Sequence, residues 1–178
     1  NDKNKKINTK LTIGEVLLNT EYKRLIKIKA LNSILTFVFP ELKGDEVTFI
    51  GTTFLTYGEK EPYRNTCIVV GTCDDIPNTD VICVDNEREC LVEWSQLIQD
   101  ENPDIIIGYN IFGFDYQFMF ERSKELDCVD DFCTLSRNLN EPSYNEDRET
   151  HEPMLQHSNT KLASGEYDLY YPNIAGRL

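Results

Sequence analysis

The alternation of apolar and polar positions becomes regular at residue 47. Residues 47 to 55 read VTFIGTTFL and residues 63 to 70 read YRNTCIVV, and both stretches are rich in β-branched and aromatic side chains. Such side chains favour strands, and Tyr57-Gly58-Glu59-Lys60 between the two stretches is a turn candidate. The pattern therefore predicts a β-hairpin, and DVICV at 80 to 84 predicts a short third strand after a loop at 71 to 78.

A helix is predicted after the third strand. Asn86 is a candidate N-cap, with Glu89 three residues later, and Pro103 blocks the helix from continuing. One face carries the apolar residues Leu91, Trp94, Leu97 and Ile98. This spacing predicts an amphipathic helix with Trp94 in the core.

A second strand and helix follow. Residues 104 to 108 read DIIIG, an apolar run that predicts a strand buried on both faces, with Trp94 packed against it. Residues 109 to 113 form a predicted turn, and residues 114 to 126 a helix. The residues along one side of that helix are Phe114, Phe118, Met119, Arg122 and Leu126. Alternating strands and helices indicate an α/β fold, with a mixed β-sheet flanked by helices.

The next segment, residues 127 to 160, is acidic, rich in Asn and Glu, and interrupted by Pro142 and Pro153. These features predict a long surface loop, with residues 136 to 160 as a loop insertion. His151 and His157 are six positions apart without a ligand pattern, and both are interpreted as solvated loop residues.

Length and composition favour one domain, or part of a larger one, because the chain has 178 residues. It contains no apolar run approaching the ~20 residues of a membrane span, which argues against a membrane partner. It begins without Met or a signal-peptide pattern, so we interpret it as an internal, intracellular fragment. The six cysteines show no paired zinc-type spacing and are expected to be reduced, half-buried thiols.

Charge is distributed unevenly. The net charge is −13, but residues 1 to 29 hold 8 Lys and Arg against 3 acids, and the remainder holds 10 against 28. An acidic body repels a phosphate backbone and excludes general nucleic-acid binding through counterion release. Contact with DNA would require metal ions or neighbouring basic domains to offset that repulsion.

The residues with the clearest chemistry are Asn110 and Asp115. Both follow the predicted buried strand, where open α/β sheets bind ligands at the carboxyl ends of their strands. Asp115 would lie in the first turn of the next helix, where free N–H groups and the helix dipole favour its ionised form. It could hold a divalent cation there. From spacing alone, an ordinary helix-start aspartate is the more common explanation.

Residues 102 to 115, which read NPDIIIGYNIFGFD, closely resemble the second exonuclease motif of family B DNA polymerases, especially delta-like and large-DNA-virus members. The resemblance covers about residues 36 to 178 and is weakest at 136 to 160. The other stretches that resemble the family are Phe39-Pro40, GDEV at 44 to 47, IGTT at 50 to 53, Glu93-Trp94, KLASG at 161 to 165 and YYPNIAGR at 170 to 177.

The resemblance implies a ribonuclease H-like domain in which two Mg²⁺ (or Mn²⁺) ions, held by carboxylates, hydrolyse the terminal phosphodiester of a mispaired primer. It implies that Asp115 is a catalytic metal ligand, and that Asn110 and the packing neighbour Phe114 lie beside the bound single strand. The implied partners are the single-stranded 3′ end of a primer–template and the remaining polymerase domains of the same chain. A viral replication site, or the host nucleus or cytoplasm, is the expected location.

Two acidic motifs of the family are not found. Ala30-Leu31-Asn32 stands where its Asp-x-Glu is expected, and the third motif should follow Gly176-Arg177, although the sequence stops at Leu178. A shifted reading frame, a junction or true divergence could account for the basic segment 1 to 35, which has no assigned structure. We expect the isolated polypeptide to lack exonuclease activity. The alternatives are an enzyme fragment, a catalytically inactive exonuclease-like scaffold and, least favoured, a stand-alone acidic interaction domain.

Overall fold

A computed structural model describes residues 44 to 138 and 141 to 178. The expectations that concern the basic segment 1 to 35, with Ala30-Leu31-Asn32, and those for Phe39-Pro40 lie outside the described residues. The architecture within them is mixed α/β, with small sheets and helices.

The largest described sheet has three strands, β1 (Phe49–Phe54), β2 (Arg64–Val70) and β3 (Asp80–Val84), in that order. β1 and β2 are antiparallel, and β3 is parallel to β2. The predicted hairpin and third strand are confirmed, and the sheet is mixed.

Helix α1 (Glu87–Glu101) begins as its sequence predicts. The Asn86 side chain accepts a hydrogen bond from Glu89 N, and the Glu89 carboxylate accepts one from Asp85 N, each at 3.0 Å. This arrangement resembles a capping box, with Asp85 N in place of the N-cap N–H, and its Asn86 bond satisfies one backbone donor of the first turn. The helix buries Cys90, Leu91, Trp94, Leu97 and Ile98.

Trp94 is buried, as predicted, but its neighbours differ from the prediction. Its ring stacks on Phe132 with centroids 5.9 Å apart, and its indole N–H donates to the Thr52 hydroxyl at 3.2 Å. Trp94 therefore connects α1 to β1 and to the segment after the second long helix.

Helix α2 (Asp115–Glu125) and the short helix α3 (Val129–Phe132) pack against α1, and α2 also contacts the strand at 165 to 171. The predicted helix at 114 to 126 is confirmed within one residue at each end. Its inward side holds Phe118, Met119 and Arg122, all buried, so the predicted helical face is also correct.

The prediction of a buried strand at 104 to 108 is wrong for the described residues. Ile105 is 54% exposed and Ile107 is 85% exposed, whereas Ile106 packs against the core. A strand buried on both faces needs neighbouring strands and a layer over each face. The Ile106 N–H donates to the carbonyl of Leu178 at 2.7 Å, but this run joins none of the described sheets. Trp94 is accordingly not packed against a strand at 104 to 108 as predicted.

The prediction of a long surface loop at 127 to 160 is also wrong in part. This stretch contains α3, the short strands β4 (Asn145–Glu146) and β5 (Pro153–Met154), and most of β6 (Gln156–Leu162). Its buried residues include Phe132, Cys133, Leu135, Ser143 and Leu155. Short apolar groups between acidic and polar stretches give no periodic signal, but Phe132, Cys133, Leu135 and Leu155 belong to the hydrophobic core.

A second hairpin follows, formed by β6 and β7 (Gly165–Tyr171), with Gln156 opposite Tyr171. His157 lies in β6 rather than in a loop. Its ring is 2.9 Å from the Asp168 carboxylate and stacks on Tyr170 with centroids 4.7 Å apart. His151 is exposed, as predicted.

The six cysteines are all free thiols, which agrees with the expected reduced state. Their burial is more varied than expected, because Cys90, Cys128 and Cys133 are buried whereas Cys73 and Cys83 are exposed. Across 44 to 138 and 141 to 178, no helix has both the length and the apolar character needed to span a membrane.

Candidate active site

The turn before α2 is organised by Asn110. This residue adopts a left-handed backbone conformation with φ of 57°, which Asn tolerates better than most residues. Its carbonyl accepts hydrogen bonds from Gly113 N at 2.9 Å and from Phe114 N at 3.1 Å. The carbonyl of Ile111 accepts one from Tyr116 N at 3.1 Å, which leads the chain into the helix.

Gly113 is required by a close approach inside this turn. The Asn110 side chain occupies the space that a Cβ atom on residue 113 would need. A Cβ on Gly108 would lie 3.0 Å from Ile111 Cβ, which is also tight. The two glycines therefore allow the turn to close on itself between the Ile105–Ile107 run and α2.

Asp115 is the first residue of α2, and it is exposed. The nearest cations on its own helix are engaged elsewhere, since Arg122 pairs with Glu87 and Glu125, and Lys124 pairs with Glu121. Within the described part of the chain, no ion pair involves Asp115. Phe114, at the N-cap, makes no side-chain cap hydrogen bond, and Asp115 is the acidic residue of the first turn, at the positive end of the helix dipole.

Asn110 and Phe114 differ in accessibility. Asn110 is exposed on the turn. Phe114 is half-buried, packs against the core and stacks on Phe118 with centroids 5.3 Å apart. The structure thus brings Asn110, Phe114 and Asp115 into one turn, with the Phe114 ring occupied by a packing contact. Their roles toward nucleic acid and metal remain predictions.

The C-terminal hairpin supports the turn, and no local sequence pattern predicts this contact. Tyr170 N donates to the carbonyl of Phe112 at 2.7 Å. The Phe112 ring meets Tyr171 edge-on, with centroids 6.0 Å apart, and lies 5.9 Å from the Tyr116 ring. Tyr116 is buried, and burial raises its pKa to about 12. Phe112 and Tyr171 are 59 positions apart, so no local pattern in the sequence indicates their contact.

The described residues do not by themselves complete a metal centre. Asp115 offers accessible carboxylate oxygens, the ligand type that Mg²⁺ and Mn²⁺ prefer. However, no group of three or more His, Cys, Asp or Glu residues suited to a metal ion occurs in the described ranges. The assignment of Asp115 as a metal ligand therefore stays a prediction.

Comparison with known proteins identifies the family. Residues 6 to 164 match the family described as DNA polymerase family B, exonuclease domain. The match begins within the basic segment that the sequence analysis left outside the resemblance.

Three relatives illustrate the similarity. The chain is 40% identical to a DNA polymerase of Phaeocystis pouchetii virus over 98% of its own length and 18% of that protein. It is 41% identical to a DNA polymerase of Pyramimonas orientalis virus over 57% of this chain and 8% of that protein. It is 39% identical to the DNA polymerase delta catalytic subunit of Arabidopsis thaliana over 57% of this chain and 9% of that protein. The chain thus spans less than a fifth of each of these relatives. It belongs to DNA polymerase family B, in the exonuclease domain.

Proposed function

We propose that this chain forms part of the 3′-to-5′ proofreading exonuclease of a larger DNA polymerase, which removes a mispaired nucleotide from the 3′ end of a primer. The observation that carries the proposal is Asp115, an exposed carboxylate outside any described ion pair, at an uncapped helix start. It ends the fourteen-residue stretch NPDIIIGYNIFGFD, the most specific part of the resemblance. A ribonuclease H-like fold is part of the proposal, and the mixed sheet packed against α1 supports it.

In this proposal Asp115 holds one of the divalent cations, while the exposed amide of Asn110 contacts the single strand at the rim. The cations supply an activated water and stabilise the leaving oxygen when they are bound. Phe114 acts through packing, because its ring lies on Phe118. The acidic composition, with a net charge of −13, makes DNA binding depend on the cations and on other domains of the polymerase.

The test uses the full-length polymerase that contains this chain. A primer labelled at its 5′ end and mispaired at its 3′ end is incubated with Mg²⁺ but without nucleotides, and shortening is followed by electrophoresis. Asp115→Ala is expected to slow shortening by about 10–100-fold, because substitution of residues around a metal commonly costs this much. Primer extension on a matched template should be unchanged.

The matched control is Asp75→Ala, which removes an exposed carboxylate in the loop between β2 and β3. The polymerase with Asp75→Ala should shorten the primer at the same rate as the unmodified polymerase. Equal rates for Asp115→Ala and the unmodified polymerase would refute the assigned role of Asp115. No shortening by the unmodified polymerase would instead favour an inactive scaffold.

A further inference from the structure

Three segments of the chain meet beside the run that leads to the candidate site: residues 102 to 106, 135 to 137 and 175 to 178. Asn102 is at their centre and ends α1 in a left-handed conformation with φ of 48°. Its side-chain oxygen accepts hydrogen bonds from Arg137 Nε and Arg177 Nη1, both at 2.8 Å. We call Asn102, Arg137 and Arg177 the Asn102 junction.

Each arginine of the Asn102 junction links segments that are distant in sequence. Arg137 donates from Nη2 to the Asn102 carbonyl at 2.9 Å and to the Asp104 carboxylate at 2.7 Å. From Nη1 it donates to the carbonyl of Gly176 at 2.9 Å. Arg177 also links two segments, because its Nε donates to the 135 to 137 segment and its Nη1 to the 102 to 106 segment. Its acceptors are the carbonyls of Leu135 at 2.9 Å and Pro103 at 2.7 Å.

The junction places two backbones side by side. Leu178 N donates to the carbonyl of Asp104 at 2.8 Å, and Ile106 N donates to the carbonyl of Leu178 at 2.7 Å. Leu178 thus bonds to the residues on either side of Ile105, through its N–H to one and its carbonyl to the other. This pattern is typical of parallel strands. The chain at Leu178 therefore runs in the direction of the segment that continues through Gly108 to the turn before Asp115.

Stability alone is a poor explanation for this arrangement. Arg177 is only 8% exposed, and the acceptors of its Nε and Nη1 are neutral oxygens. Burial lowers its pKa, and the nearby charge of Arg137 lowers it further. Well-packed apolar side chains are often as stable as buried charges. A planar guanidinium does, however, fix the directions of several bonds at once, which apolar contacts do not.

We infer that Arg137 and Arg177 are positioning residues that act through Asn102 and fix the segment leading to Asp115 against the 175 to 178 segment. The same C-terminal part holds the far side of the turn, through the Tyr170 N–H and the carbonyl of Phe112. The stretch that leads to Asp115 is thus held before the turn, at residues 102 to 106, and within the turn, at Phe112. For its catalytic consequence the inference rests on the proposed function.

The test compares variants of the full-length polymerase. Asn102→Ala removes the shared acceptor, whereas Asn102→Asp keeps oxygen acceptors in place beside two cations and should restore the contacts. Arg177→Lys keeps the charge but loses the planar donor geometry, and it serves if Asn102→Ala fails to fold. Arg88→Ala is the matched control. Arg88 lies in α1, the helix that Asn102 ends, and its substitution removes a surface ion pair with Asp131.

The first measurement is hydrogen–deuterium exchange in peptides that contain Ile106 and Leu178. Asn102→Ala should speed exchange of these two amides by about tenfold or more, since it removes two hydrogen bonds from charged groups. Arg177→Lys should give a smaller increase, and Asn102→Asp and Arg88→Ala should match the unmodified protein. Unchanged exchange in both Asn102→Ala and Arg177→Lys would overturn the inference.

The second measurement is the rate of primer shortening as a function of DNA concentration. Asn102→Ala should lower kcat by a larger factor than it raises KM, and Asn102→Asp should restore kcat, because the other polymerase domains still bind DNA when the turn that carries Asp115 is displaced. Faster exchange with an unchanged kcat would overturn the positioning role. If the unmodified polymerase shortens no primer, the proposed function fails, while the exchange data still decide whether the junction holds the two segments.

Discussion

The buried ion pair between Glu87 and Arg122 holds α1 and α2 together, and its loss should destabilise the chain strongly. The two side chains are 7% and 8% exposed. Glu87 accepts from Arg122 Nε at 2.8 Å and from Arg122 Nη2 at 2.6 Å, and it also accepts from Val47 N at 2.8 Å. The pair therefore also ties the start of the first hairpin to both helices.

Glu87→Gln is the informative substitution because it preserves shape. The amide can keep one oxygen toward Arg122 Nε and Val47 N, but its NH₂ group faces Arg122 Nη2 and the charge-assisted bond there is lost. Removing one partner of a buried pair usually costs about 3–5 kcal/mol. We expect about 3 kcal/mol, the low end, because Glu125 still contacts Arg122.

The measurement is the free energy of unfolding of the 178-residue chain in urea. Asp131→Asn is the control, because it breaks a surface ion pair with Arg88, which is next to Glu87 in α1. The two side chains of that pair are 2.7 Å apart, and Arg88 is 49% and Asp131 55% exposed. That control should cost at most about 1 kcal/mol. A difference of under about 1 kcal/mol between the two variants would refute the reasoning, because burial would then not decide the cost.

Two further predictions concern the turn and the response to acid. Gly113→Ala should lower the free energy of unfolding by about 1–3 kcal/mol, because the new Cβ would collide with the Asn110 side chain, whereas Gly51→Ala, with open space around it, should change it by less than about 0.5 kcal/mol. Urea unfolding of both variants checks this, and equal effects would contradict it. The hydrogen bond from Arg64, followed by that from Tyr63, lowers the pKa of Glu101. The ionised Glu101 side chain therefore adds to the free energy of unfolding at neutral pH, and this addition is lost as the pH falls through the lowered pKa. Glu101→Gln should therefore destabilise the chain at pH 7 but have a smaller effect near pH 2 in thermal unfolding, and an equal effect at both would disprove the linkage.

Local signals predicted the elements that depend on neighbours in sequence. The capping box at Asn86 and Glu89, the first hairpin, and the start of α2 at Asp115 follow from residues within a few positions of one another. The position of Asp115 at the helix start was predictable for this reason. Its metal role stays a prediction, because no local pattern brings further carboxylates to it.

Features that depend on distant segments were not predictable in the same way. The apolar composition of 104 to 108 predicted burial on both faces, but composition does not provide the strands that would cover Ile105 and Ile107. The Asn102 junction joins residues 35 and 75 positions apart, and nothing near Asn102 in the sequence indicates its partners. The core residues at 132 to 155 were missed because they stand in short apolar groups separated by long polar stretches, which show no strand or helix period.

The exposed Ile105 and Ile107 have a consequence for the behaviour of the chain in solution. Uncovered apolar positions on an extended segment favour self-association. The net charge of −13 opposes this, since like-charged chains repel each other over a Debye length of about 10 Å at 0.1 M salt and about 3 Å at 1 M. Added salt should therefore promote association of this chain, the reverse of its effect on complexes held together by opposite charges, and dilute low-salt buffer should keep it dispersed.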